Sequence, residues 1–169
     1  MPDDPLGQRR GLTHLDEQGA ARMVDVSSKD VTVRTAVATA KVLISAEVAR
    51  LLRGGGVPKG DALGVARVAG IMAAKQTPSL VPLCHPIAIS RVDVDVDVDD
   101  DDDAVTVRAL VGTTDRTGVE MEALTAVSVA ALTVIDMVKG VDRAASIEHV
   151  RLESKAGGRT GSWQRDGDQ

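Results

Sequence analysis

Val92-Asp93-Val94-Asp95-Val96-Asp97-Val98 runs into Asp99-Asp100-Asp101-Asp102-Asp103, and Ala104-Val105-Thr106-Val107-Arg108-Ala109-Leu110-Val111 follows. This stretch decides the fold class. Side chains of an extended chain point to opposite sides in turn, so strict valine–aspartate alternation makes one apolar and one acidic face. The aspartate run is a turn, and Ala104 to Val111 returns as the second strand of a β-hairpin. One solvated face implies an antiparallel sheet whose other face is covered by helices.

Upstream, three prolines (Pro78, Pro82, Pro86) make Thr77 to Pro86 an ordered loop rather than a regular element. Asp61 is placed to cap a helix running to Lys75. Ser45 is placed to cap a shorter one, Ala46 to Arg53, stopped by Gly54-Gly55-Gly56 and Pro58. Val31 to Ile44 has alanines that permit helix, but its valines and threonines favour strand. Met23 to Val26 is a further short strand candidate. Downstream, Glu120 to Lys139 is the longest helix candidate, with Gly140 where a terminating glycine would sit. Ser146 to Ser154 reads as a last strand, and Lys155 to Gly161 as a flexible basic loop carrying Lys155 and Arg159. Strands interleaved with two substantial helices predict an α+β sandwich. The division is a flexible arm over 1–20, a single α+β domain over 21–163 and a polar tail over 164–169.

The chain has 169 residues, 43% of them hydrophobic, yet one Trp and no Phe or Tyr. Its core must therefore be aliphatic, and base-stacking aromatic platforms are excluded. The formal charge of −5 arises from 20 Lys and Arg against 25 Asp and Glu. Eight of those acids lie between Asp93 and Asp103; without them 17 acids face 20 bases, so the remainder is mildly basic. Neither nucleic acid nor membrane is expected as a partner. MPDDPLGQRRG lacks the apolar stretch of a secretory signal, no apolar run approaches a membrane span, and the single Cys forms no intrachain disulfide. A cytoplasmic protein is the expectation. No metal site is expected either, since one Cys and three His show no paired-ligand spacing. The aspartate run lacks the order of a calcium loop and reads as a solvated face that discourages edge pairing.

Chemistry concentrates in a few places. On the long helix, Glu120 and Glu122 suit the positive end of the macrodipole, whereas Asp136 opposes it at the far end. Asp136 three residues before Lys139 is either a simple ion pair or an acid/base pair. Glu122 and Asp136 lie about 21 Å apart along the axis, so one small ligand reaches both only if a second subunit supplies one of them. Leu83-Cys84-His85-Pro86 reads as a rigid loop presenting a thiol and an imidazole, or as a buried Cys beside a capping His. Lys59, before a helix start, and Lys155 with Arg159 offer positive charge beside free amides, although solvated linkers account for both.

The segments Leu12-Thr13-His14-Leu15, Met23-Val24-Asp25-Val26, Lys59-Gly60-Asp61, Pro82-Leu83-Cys84-His85-Pro86, Thr117-Gly118-Val119-Glu120-Met121-Glu122-Ala123-Leu124-Thr125-Ala126 and Asp136-Met137-Val138-Lys139 resemble, in order, the cyclic pyranopterin monophosphate synthase family. The resemblance spans about residues 12 to 163. It implies a ferredoxin-like antiparallel sheet with helices on one face, and a lyase of molybdenum cofactor biosynthesis. The substrate it implies is the cyclised dihydroguanosine triphosphate derived from GTP, and the product a cyclic pyranopterin phosphate with loss of pyrophosphate. By the same resemblance Asp136 is the acid/base residue, assisted by Lys59 and Lys139. Leu83, Cys84, His85, Glu120, Met121 and Glu122 would line the pocket, and Lys155 in the mobile loop would hold phosphate. No cofactor is implied, though a divalent ion could accompany the triphosphate. A homohexamer, a trimer of dimers with interface sites, is also implied. The rivals are a non-catalytic nucleotide-sensing domain and a calcium-responsive scaffold built on the aspartate run.

Overall fold

The computed structural model describes residues 19–54, 59–159 and 161–166. Most of the 1–20 arm, the Leu12–Leu15 segment, residues 55–58 of the glycine stretch, Thr160 and the last three residues of the tail lie outside the described residues. The elements are β1 (Thr32–Leu43), α1 (Ala46–Arg53), α2 (Ala62–Leu80), β2 (Ile89–Val98), β3 (Ala104–Asp115), α3 (Glu120–Val138), β4 (Ser146–Ala156) and β5 (Trp163–Gln164). The sheet runs β2-β3-β1-β4-β5, and every neighbouring pair is antiparallel. Each helical crossover skips one strand: β1 to β2 passes over β3, and β3 to β4 passes over β1. This is the split βαβ arrangement of a ferredoxin-like sheet.

The hairpin reads as its alternation dictates. Val94 and Val96 are buried, Asp95 and Asp97 face solvent, and Asp95 pairs with Arg108 across the strands. In the turn, the Asp99 carboxylate accepts from the Asp101 and Asp102 amides. Lys41 on β1 holds Asp102 at 2.7 Å. Ser45 and Asp61 cap α1 and α2 through the amides of Val48 and Gly64.

Four elements depart from the sequence expectation, the first being β5: Trp163 and Gln164 pair with β4, so the strand from Ser146 is not the last and the tail begins inside the sheet. Met23 to Val26 forms no strand. Helix α2 continues through Pro78 to Leu80 instead of ending near Lys75. Proline cannot donate to the carbonyl four residues back, but the buried Thr77 hydroxyl donates to that same Ala74 carbonyl at 3.0 Å. Strand β4 extends to Ala156, so Lys155 belongs to the sheet and not to a mobile loop. Gly140 follows α3 without a left-handed backbone; the Val138 carbonyl instead accepts from the amides of Val141 and Asp142.

The core is built from valine and alanine. Helix α3 packs on β1, β3 and β4, and α2 packs on α3 and β2, all on one face of the sheet. Small residues bring the two helices close: a Cβ at Gly70 would stand 3.0 Å from the Ala126 carbonyl oxygen. The 19-residue α3 is long and apolar enough to cross a membrane by composition, contrary to the expectation that no run reaches that length. Its buried Ala123, Val127, Ala130 and Val134 make it the central helix of this core. The largest fully buried side chain is an acid, Glu122.

Candidate active site

At the N-terminal end of α3, the loop after α2 folds back so that Leu83, Cys84 and His85 face Met121 and Glu122 across a cavity of about 310 Å³. Pro82 and Pro86 flank the presenting residues, and the Cys84 amide donates to the Val81 carbonyl at 3.0 Å. Glu122 is only 2% exposed. Burial pushes its carboxyl up to about 7, against a backbone hydrogen bond that lowers it and with a smaller push from the Glu120 charge. It can therefore gain or lose a proton near neutrality. Burial, and then the Glu122 charge, raise the Cys84 thiol above its ordinary range, which makes it a poor thiolate. Hydrogen bonds from the Ser27 hydroxyl and amide hold the Asp25 carboxyl below its usual range.

The cavity opens into a second compartment of about 710 Å³, with which it shares Val24, Lys29, Thr117, Gly118 and Glu120. That compartment is basic on balance, because Lys29, Arg34, Lys155 and Arg159 outnumber Asp30 and Glu120 in its lining. Arg116 places Lys29 by donating to the carbonyls of Ser27 and Lys29, the latter at 2.9 Å. Arg34 is anchored on β1 by donating to the Asp115 carbonyl at 2.8 Å. Two glycines shape these walls, and a side chain is barred at the second, Gly157, where the obstacle is backbone. At Gly118 an added Cβ would stand 1.8 Å from the Glu120 carboxylate, which curls back over it and meets Lys155 at 2.9 Å. At Gly157, with φ +96°, an added Cβ would lie 2.1 Å from the Val33 carbonyl oxygen, so the backbone lies directly on β1.

At the other end of α3, Lys139 meets one Asp136 carboxylate oxygen at 2.6 Å, and Lys59 meets the other at 3.2 Å. Lys59 also donates to the Asp136 carbonyl at 2.5 Å, so it doubles as a cap for an open helix end. Lys139 first, and then Lys59, hold the Asp136 carboxyl below its usual range, keeping it ionised at neutral pH. All three side chains are exposed.

Within one chain the proposed residues thus form two groups. Leu83, Cys84, His85, Glu120, Met121, Glu122 and Lys155 gather at one end of α3; Lys59, Asp136 and Lys139 gather at the other, about 21 Å away. Glu122 departs from a surface charge complementing the helix dipole, because it is buried. Sequence reasoning missed Lys29 and Arg34. They lie five residues apart with no motif around them, and only the fold brings them beside Lys155. Among the described residues, no cluster of His, Cys, Asp and Glu is arranged to hold a metal ion.

The sequence profile of the MoaC family matches residues 23–158. A protein of Nocardioides sp. named cyclic pyranopterin monophosphate synthase is 68% identical over 166 residues, covering 98% of this chain and 99% of its own length. Its namesake in Streptomyces avermitilis is 65% identical over 164 residues, covering 97% and 94%. A cyclic pyranopterin monophosphate synthase 2 of Mycobacterium tuberculosis is 58% identical over 154 residues, covering 91% of each chain.

Proposed function

This chain belongs to the MoaC family, and on that premise we propose that it works as a cyclic pyranopterin monophosphate synthase, a lyase of molybdenum cofactor biosynthesis. Its substrate in this reading is (8S)-3′,8-cyclo-7,8-dihydroguanosine 5′-triphosphate, and its products are cyclic pyranopterin monophosphate and pyrophosphate. The observation that carries the reading is the two-ended cleft. A compartment lined by Cys84, His85, Met121 and the buried Glu122 joins one lined by Lys29, Arg34, Lys155 and Arg159. A ligand with a guanine-derived ring at one end and a triphosphate at the other matches that division.

The chemistry follows from the same groups. Opening and reclosing the ring moves protons, and Glu122 titrates near the pH at which that exchange is easiest. Asp136 is the acid/base residue, poised as a carboxylate with Lys139 and Lys59 as its proton-bearing neighbours. Ring closure on phosphorus forms a new P–O bond from the ribose-derived hydroxyl and breaks the bond to the departing pyrophosphate. Cations stabilise the charge that develops on the leaving group, so no covalent nucleophile is needed. The reaction uses no resident cofactor, and any divalent ion enters with the triphosphate.

Two groups about 21 Å apart either serve different sites or meet when a second subunit completes each site; our reading is the second, with the Asp136 end of one α3 brought to the Glu122 end of another. We place the chain as a homohexamer, a trimer of dimers, in the cytoplasm. Incubation with the cyclised triphosphate tests the reading. Equimolar pyrophosphate and pterin product are expected. Saturable binding of the triphosphate without pyrophosphate would instead identify a nucleotide-sensing domain.

A further inference from the structure

Lys155 reaches the cleft only because β4 carries an irregularity, and we propose that Glu153 is the positioning residue that pins it. Strand β4 pairs with β1 as Ala38↔Leu152 and then Val37↔Ser154, so Glu153 is an extra residue, a β-bulge. Beyond it, Lys155 stands opposite Ala36, which is 1% exposed and on the helix-covered face. Continued regular pairing from Leu152 would set Lys155 opposite Thr35 instead. A one-residue slip sends a side chain to the other face of the sheet. Lys155 would then point away from Glu120 and from the basic compartment.

The Glu153 carboxylate is held from both sides of its strand. One oxygen accepts from the Thr39 hydroxyl on β1 and from Arg151 Nε at 2.7 Å. The other lies 3.6 Å from Arg165 Nε, just beyond β5. Arg165 also donates its amide to the Glu153 carbonyl at 2.8 Å and its Nε to the Leu152 carbonyl at 2.9 Å. Strand β5 then pairs with the residues beyond the bulge, Ser154 with Gln164 and Lys155 with Trp163. Glu153 itself lies on the open face, away from the cleft, and acts only through Lys155.

The role of Lys155 in holding the triphosphate rests on the function proposed above, so the test has one arm that does not. In protein whose lysines carry ¹³C-methyl groups, the Lys155 signal, assigned by its loss in Lys155→Arg, reports the pairing with Glu120. Glu153→Val is expected to move that signal to the position of a free lysine. In turnover, Glu153→Val is expected to raise KM about tenfold, the scale of one lost charge-assisted hydrogen bond. The value of kcat should stay within about twofold, and the KM effect should vanish in a Lys155→Ala background. Glu153→Gln, which keeps an acceptor for Thr39 and Arg151, should largely rescue both readouts; if the valine variant fails to fold, Thr39→Val, which withdraws a donor from Glu153, should move the Lys155 signal in the same direction by a smaller amount. An unmoved Lys155 signal, or KM effects of the two substitutions that multiply in full, would overturn the proposal. Absence of turnover in the wild-type protein would overturn the functional reading alone, and the methyl signal would still decide the role of Glu153.

Discussion

Replacing Glu122 by Gln should stabilise the fold in alkaline solution and remove most of a pH dependence. The folded carboxyl titrates near 7, against 4.5 for an ordinary glutamate. The native state therefore holds this proton more tightly than the unfolded chain does. That costs nothing below the unfolded value, grows as pH rises from 4.5 to 7, and is complete above 7. The shift corresponds to about 3 kcal/mol at about 1.4 kcal/mol per pH unit. Only 2% of Glu122 is exposed, so little solvent screening reduces it. Urea unfolding of wild type and Glu122→Gln, at equal protein concentration, at pH 4.5 and pH 8, measures the difference directly. Near-equal stability is expected at pH 4.5, and a gain of about 3 kcal/mol for the variant at pH 8, accompanied by lost turnover. A glutamine variant no more stable than wild type at pH 8, or equally stabilised at both pH values, would show that the buried carboxyl does not carry this proton.

Asp136→Asn should abolish pyrophosphate release while sedimentation shows the same assembly. Thr77→Val should cost about 1–3 kcal/mol in denaturant, because it strands the Ala74 carbonyl beneath Pro78. Adding Pro78→Ala restores a main-chain donor to that carbonyl and should recover most of the loss. Millimolar calcium should leave the melting temperature unchanged, because Asp99 and Asp102 of the turn are already engaged, by the Asp101 and Asp102 amides and by Lys41; a rise of several degrees would favour the calcium-responsive scaffold.

Elements with a strong local signal were legible from the sequence. The Val–Asp alternation placed β2 and β3 on their correct faces, and Ser45 and Asp61 marked the starts of α1 and α2. What escaped depended on contacts between distant residues. Pro78 argues for a helix end unless a neighbouring hydroxyl covers the orphaned carbonyl, and Thr77 does so here. Lys155, beside two glycines, looked like loop, because nothing local announces that β1 and β5 clamp the strand that carries it. Glu122 looked like a helix-dipole charge, because its burial is decided by the loop around Cys84. Lys29 and Arg34 carry no local mark, and their shared role exists only once the start of β1 meets the end of β4.

If each active site joins opposite ends of α3 from two subunits, mixing two inactive variants restores activity. Asp136→Asn and Glu122→Gln should each be inactive alone. After dissociation and random reassociation, half of the paired subunits are hybrids, and each hybrid carries one site with both residues intact. About a quarter of wild-type pyrophosphate release should return. A mixture that has exchanged subunits and remains inactive would contradict a site shared between subunits.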